Sequence, residues 1–338
     1  MERKGIVAAG NWIVDHVKII DEYPPQDALA NILSQSSANG GSPYNILKDL
    51  VKLKASFPLF GMGLVGDDAN GTYILKECQT LGIDVSCLQK TQLQSTSYTD
   101  VMTVKATGRR TFFHHRGANA LFGREHCSFA HLHGKIFHLG YLLLLDELDK
   151  IDSLGRTQAS YLLETAIQQG YLTSVDLVSE SSNRFQTVIP PSLPFVDYLF
   201  ANEYEASKTT GISIVENEEV NIQKAILATK KLLEMGVRKT VFLHFPKGAL
   251  AVEKNGKITV QGSVKVPQEK IQGATGAGDA FAAGVLFGLH ENWDITQVLQ
   301  LGVCAAATCL FDATCSDGIL PYTDAIRIGQ TYGFYEIN

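Results

Sequence analysis

No run of about eighteen uncharged apolar residues occurs in this 338-residue chain, so nothing in it reads as a membrane-spanning helix. Basic clusters are missing too. Lys and Arg number 29 against 35 Asp and Glu, a net charge of −6, which excludes the electrostatic footprint of a nucleic-acid binder. Cysteine is sparse. Cys78, Cys87, Cys127, Cys304, Cys309 and Cys315 form no C-x-x-C pair and no metal-finger spacing, so they read as buried or free thiols in a reducing compartment. The start, Met1 to Gly5, leads straight into the short strand-like run Ile6 to Ala9, which is too brief for the apolar region of a signal peptide. These absences leave a soluble, cytoplasmic protein without membrane or nucleic-acid partners. No internal repeat, low-complexity tract or Pro/Gly-rich linker divides it, and its 45% hydrophobic content can fill one large domain with an accessory piece.

From about residue 130 onward, short apolar runs alternate with helical patterns. Ile136–Gly140, Leu172–Asp176, Tyr198–Ala201 and Thr240–His244 read as strands, with helices over 156–169 and near 220–234. Ala249–Val252 and Ile258–Val260 flank Asn255-Gly256 as a hairpin. This alternation predicts βαβ units and a mostly parallel sheet covered on both faces. Residues 11–38 and 95–116 break the rhythm. They read as extended, with a hairpin turn at Ala106-Thr107-Gly108, and are expected to form a small β-sheet projecting as a lid.

The run Gly273-Ala274-Thr275-Gly276-Ala277-Gly278-Asp279-Ala280-Phe281 joins a glycine-rich turn to an apolar helix, with one carboxylate at the junction. Such a turn and helix start present N–H groups to an anion. An aspartate beside that anion hole suits a general base for a hydroxyl that attacks a phosphoryl group. The plainer reading is an acid that suits the helix dipole. Gly61-Met62-Gly63-Leu64-Val65-Gly66 matches G-x-G-x-x-G, but Asp67 and Asp68 would repel a pyrophosphate and instead cap the next helix. Gly40-Gly41-Ser42-Pro43-Tyr44-Asn45 opens a helix running to about residue 54, either as an ordinary loop with an early proline or as N–H groups and an amide facing a hydroxyl-rich ligand. Asn202-Glu203-Tyr204-Glu205 is a capping box, or holds a water-bound magnesium near a nucleotide. His114-His115 and His131-x-His133 lack metal-ligand company, and no Walker A lysine signature occurs.

In order and spacing these pieces resemble the ribokinase-like carbohydrate kinases of the PfkB family, across nearly the whole chain. Gly10 to Asp15 resembles the family's N-terminal strand, Gly40-Gly41 with Asn45 its first signature, and Gly276 to Phe281 its second. Arg110-Thr111-Phe112 and Gly117 to Ala120 resemble the lid and its return, and Asn202 with Glu205 the N-x-x-E magnesium motif. The resemblance implies a single three-layer α/β/α domain over 1–338 with a mostly parallel sheet and the lid from about 11–38 and 95–116. It also implies ATP as phosphoryl donor, Mg²⁺ at Glu205, and Asp279 as the base, with Gly276, Ala277 and Gly278 forming the anion hole. Asp15, Gly41, Asn45, Arg110 and Asn119 would hold a small sugar, and Asn202, Gly248, Thr275, Gly276 and Gly278 the nucleotide. A homodimer through the lid is a further implication.

Three stretches depart from that pattern. Gly273 replaces an aspartate, which leaves the monovalent-cation site of some members without its carboxylate. Phe245 replaces a glycine in Leu243 to Gly248, and Asp176 to Glu180 lacks the family's amide and guanidinium. A nucleoside kinase on the same scaffold, with Tyr98, Phe112 and Phe113 as a base sandwich, is one alternative. A sugar-binding sensor with weak catalysis is the other.

Overall fold

The computed structural model describes residues 3–337. In chain order its first half comprises β1 (Ile6–Gly10), β2 (Ile13–Ile20), β3 (Ile32–Gly40), α1 (Ser42–Lys52), β4 (Leu59–Gly66), α2 (Ala69–Thr80), β5 (Asp84–Thr91), β6 (Tyr98–Val104), β7 (Arg110–His115) and β8 (Ile136–Gly140). The short helix α3 (Asp146–Asp149) leads to α4 (Gln158–Gln168), β9 (Leu172–Asp176), α5 (Phe185–Val188), β10 (Tyr198–Asn202) and α6 (Glu203–Thr210). A two-residue pair, β11 (Val215–Glu216) and β12 (Glu219–Val220), precedes α7 (Ile222–Glu234), β13 (Thr240–Phe245), β14 (Gly248–Glu253) and β15 (Ile258–Gly262). The chain closes with α8 (Ala277–His290), α9 (Ile295–Cys309) and α10 (Tyr322–Tyr332).

Nine strands form one sheet in the order β15-β14-β13-β10-β9-β8-β1-β4-β5. Pairing is parallel from β13 to β5 and antiparallel only at β14 and β15. Side chains of a strand alternate between faces, and here both faces are apolar. In β1, Ile6 and Ala8 enter one core with α1, α8 and α9, while Val7 and Ala9 enter the other with α4 and α7. Phe200 and Phe242 against Leu199 and Leu243 repeat the division in β10 and β13. The sequence expectation of three α/β/α layers is met, with helix bounds within two or three residues. Val220 falls in β12 rather than in a helix, because Asn221 caps α7 by accepting from the Lys224 N–H at 3.1 Å. Among the described residues no helix is long and apolar enough to cross a membrane.

β2, β3, β6 and β7 make a second sheet in the order β3-β2-β6-β7, antiparallel except for the β2–β6 pair. Its exposed outer strands leave Ile32, Leu33, Phe112 and Phe113 half in solvent. At the base of this sheet the fully buried Trp12 indole donates to the Met62 carbonyl at 2.9 Å. That contact explains the G-x-G-x-x-G run. The motif lies inside β4 and not in a phosphate-binding turn; its first two glycines vacate the space that the indole fills.

A Cβ on Gly63 would stand 2.3 Å from Trp12 Nε1. Gly63→Ala should therefore cost about 1–3 kcal/mol of stability, as overpacked cores do. Urea unfolding followed by tryptophan fluorescence measures it, and an unchanged midpoint would show that the indole is free to move.

Candidate active site

The parallel strands reverse their order of addition between β1 and β8, and ligands of open α/β sheets bind at that switch, beyond the carboxyl ends of the strands. The residues leaving those ends are Asn11 after β1, Tyr141 after β8, Asp176 ending β9, Asn202 ending β10, and His244 near the end of β13. Across them stands the first turn of α8. Gly276 caps it in the left-handed region at φ 81°, where a Cβ would lie 2.6 Å from the Cys315 carbonyl oxygen. Only glycine suits that place. The helix thus begins with Ala277, Gly278 and Asp279, whose N–H groups have no partner within the helix itself.

Asp279 is 6% exposed. Its Oδ2 accepts from Asn45 Nδ2 at 2.8 Å, and the Tyr141 hydroxyl lies 2.7 Å from Oδ1 and 2.9 Å from Oδ2. Burial pushes its carboxyl up from 3.8 to about 6, against these two hydrogen bonds, which lower it. That rise disfavours the ionised form by roughly 3 kcal/mol. A carboxylate poised so close to neutrality, beside an anion-binding helix start, can take a proton from a hydroxyl.

Four more acids share its field, Asp49, Asp176 and Glu205 buried and Asp15 partly so. Burial lifts Asp15 to about 6, with the Thr99 hydrogen bond opposing and the Asp279 charge adding to the rise. Asp176 rises well above the carboxylate range through burial and then the charges of Asp279 and Glu205. Glu205 reaches about 7 through burial, against hydrogen bonds from the Asn202 N–H at 2.9 Å and the Ser179 hydroxyl at 2.9 Å. Asp49, fully buried in α1, is pushed well up by burial, which outweighs the opposing Ser316 side chain. His244 is held neutral, down to about 4, by burial.

Two adjoining cavities open on this cluster. One of about 190 Å³ is lined by Tyr141, Asp176, Ser179, Glu205, Gly278 and Asp279. The other, about 440 Å³ and mostly apolar, runs past His244, Phe245, Gly248, Ala274, Phe281 and Ala307. Asn202 and Gly278 border both. A larger cleft of about 620 Å³ around Tyr198, Arg238 and Trp293 lies at the other ends of the strands, away from these acids. Chemistry, not volume, selects the site.

Gly276, Ala277, Gly278, Asp279 and Asn45 meet at one point, and Asp15 lies within the electrostatic reach of Asp279. Gly41 is the residue before α1, and Thr275 precedes the α8 cap with its hydroxyl buried and unpartnered. Asn202 and Glu205 cap α6 reciprocally, and the Asn202 amide also reaches the Ser179 hydroxyl at 2.8 Å. Asn119 and Arg110 stand apart. The Asn119 amide is spent on the Trp12 backbone, accepting from its N–H at 3.2 Å and donating to its carbonyl at 3.1 Å. Arg110 is exposed at the start of β7, 5.9 Å from the Phe112 ring centre. Phe112 and Phe113 are successive strand residues and face opposite ways; of the three expected aromatics only Tyr98 and Phe113 share a face of the small sheet. Sequence reasoning missed Tyr141 and Asp49. A tyrosine directly after a strand-ending glycine was a usable signal; Asp49 gave none beyond its place one turn after Asn45.

Among the described residues no three His, Cys, Asp or Glu side chains form a metal cage. Asp176 and Glu205, buried hard-oxygen donors on the smaller cavity, do fit a magnesium ion that keeps water and phosphate oxygens as its other ligands.

This fold and cluster place a buried carboxylate in the first turn of a helix, at the switch point of an open α/β sheet. Residues 4–321 match the model of the pfkB family carbohydrate kinases, and the chain belongs to that family: it is an ATP-dependent carbohydrate kinase. It is 24% identical over 341 residues to 5-dehydro-2-deoxygluconokinase of Clostridium perfringens, covering 93% of this chain and 91% of that one. A 134-residue stretch, 38% of each chain, is 30% identical to adenosine kinase of Schizosaccharomyces pombe. The Arabidopsis thaliana ribokinase structure with ribose and ATP superposes with a TM-score of 0.77 at 20% identity, over 97% of this chain and all but 1% of that one.

Asp49 is an ionisable group that burial drives toward its neutral form, so its penalty is absent below the unfolded carboxylate range and grows as pH rises above it. Asp49→Asn should raise the melting temperature at pH 8, by about 2–4 °C per kcal/mol recovered, with the gain shrinking toward pH 4. A pH-independent effect in calorimetry would contradict the assignment.

Proposed function

We propose that the protein transfers the γ-phosphoryl group of ATP to a hydroxyl of a small sugar, with Asp279 as general base. The observation that carries this reading is the Asp279 carboxyl itself: buried, raised to about 6, and seated in the first turn of α8 beside Gly278, where both cavities meet. The acceptor O–H gives its proton to Asp279 as its oxygen attacks phosphorus, and ADP leaves. The N–H groups of Ala277, Gly278 and Asp279 face the charge that gathers on the transferred group; such fixed donors are worth about 3–4 kcal/mol each. The larger cavity, from Gly248 and Phe245 to Ala307, suits the adenosine end of the donor, with Asn202 and Thr275 toward the phosphates. Asp176 and Glu205 would hold Mg²⁺, which neutralises phosphate charge when bound. Asp15, Asn45 and Gly41 hold the acceptor. The small sheet of β2, β3, β6 and β7 acts as a lid that brings Arg110 inward and excludes water.

A sugar is favoured over a nucleoside because the 5-dehydro-2-deoxygluconokinase match spans 93% of the chain and the adenosine kinase match only 38%. The exposed Ile32, Leu33, Phe112 and Phe113 of the lid support a homodimer through this sheet, which sedimentation would refute by a monomer at micromolar concentration. The six free thiols fit a reducing, cytoplasmic setting.

ADP release with Mg-ATP over hexoses, pentoses, sugar acids and nucleosides should depend on a sugar. Asp279→Asn should still bind ATP by calorimetry yet lose about 10²–10⁴-fold in kcat. Near-normal turnover in that variant would remove Asp279 from the base role.

A further inference from the structure

Tyr141 enters the cluster from a fixed anchor. Its backbone N–H donates to Asn11 Oδ1 at 2.6 Å, and the Asn11 amide in turn donates to the Leu144 carbonyl at 3.1 Å. Asn11 itself is fully buried and its N–H bonds the Gly140 carbonyl at 2.9 Å, so both strand ends at the switch point grip this residue. The side chain then places one hydroxyl within 2.7 and 2.9 Å of the two oxygens of Asp279. A phenol has a single proton to give, and an ionised carboxylate offers about four acceptor positions. Asn45 takes one on Oδ2. Tyr141, nearer Oδ1, takes one there, and the other acceptor position of Oδ1 stays open.

We propose that Tyr141 is a positioning residue for the reaction: with Asn45 it fixes the Asp279 carboxylate and keeps it ionised, so that Oδ1 receives the acceptor's proton. The inference rests on the base reading of Asp279. Burial presses Asp279 toward its neutral form, and a neutral acid cannot accept the proton. Hydrogen bonds to the charged form oppose that pressure. Tyr141 is a dependable donor, because burial and then the Asp279 and Asp176 charges push its own ionisation far above the usual tyrosine range. A phenylalanine would fill the same space and give nothing to the carboxylate.

The test needs no acceptor. Protein labelled with aspartate ¹³C at the side-chain carboxyl is titrated by NMR, and the Asp279 resonance is assigned by its loss in Asp279→Asn. In the unmodified protein its midpoint should fall near pH 6. Tyr141→Phe should move it upward by about 0.5 pH unit or more, because a bond to the ionised form is lost. If that variant does not fold, 3-fluorotyrosine at position 141, a stronger donor of the same shape, should move it downward. A midpoint unmoved by either replacement overturns the positioning role. The two readings fail separately: an Asp279→Asn enzyme with near-normal turnover sinks the base, whereas an immobile midpoint beside an inactive Asp279→Asn enzyme sinks only Tyr141.

Discussion

The 2.8 Å hydrogen bond from Asn45 to Asp279 ties together side chains 234 residues apart, and most of the site is arranged around it. It brings the start of α1 against the start of α8, on one face of the sheet. That is where N–H groups without helical partners accumulate. It also reduces the penalty of burying a carboxylate. Burial nonetheless wins: Asp279 is still raised, as are Asp15, Asp49, Asp176 and Glu205. A cluster of buried acids with few internal counter-charges is a cost to folding. On the proposed reading, that cost would be offset when a cation and a hydroxyl-bearing substrate bind, the first by charge and the second by hydrogen bonds.

The topology makes this arrangement possible. β1 leads toward β4 and β5, while β8 leads the other way toward β9, β10 and β13. The chain leaving β1 and the chain leaving β8 therefore diverge, and the crevice between them is where Asn11 and Tyr141 meet. Trp12 seals the base of the crevice by filling the space that Gly61 and Gly63 vacate in β4. Asn119 then locks the Trp12 backbone through both ends of its amide. The small sheet is thus anchored at its root by one indole and one amide, while its far strands carry half-exposed apolar side chains.

Legibility followed distance along the chain. Leu172–Asp176 is bounded as the sequence predicts, because a short apolar run between turn residues carries its own signal. The Asn255-Gly256 hairpin was equally local. Within the site, the run from Gly276 to Asp279 was legible as a glycine-capped helix start carrying an acid, because these features lie in four consecutive residues. Asn202 with Glu205 was legible as a cap for the same reason. Asp67 and Asp68 argued correctly against a dinucleotide site at the G-x-G-x-x-G run, but the reason for its glycines was not legible, since only the three-dimensional placement of Trp12 explains them inside a strand. Tyr141 offered only its place after a strand-ending glycine, since its partner Asp279 lies 138 residues away, and Asp49 offered nothing, since its chemistry comes from complete burial in the folded protein.

The three departures from the family pattern fall in different parts of the site, and none removes the reacting groups. Phe245 lines the larger, apolar cavity, where the donor's base would rest and where shape rather than charge discriminates. Gly273 packs beside Asp312 and Ala313, behind the anion loop. The stretch from Asp176 to Glu180 has its own replacement chemistry. Ser179 bridges Asn202 and Glu205 by hydrogen bonds of 2.8 and 2.9 Å, doing the work of a longer polar side chain. Glu180 pairs with Arg184 at 3.1 Å, so a guanidinium still stands near the end of β9, supplied four residues later. Divergence of this kind leaves the hydrogen bonds of Asp279 to Asn45 and Tyr141 in place. The sensor alternative requires the opposite pattern. A protein that only binds sugar gains nothing from holding one carboxylate near neutrality at a helix start, and would relieve that strain with an amide.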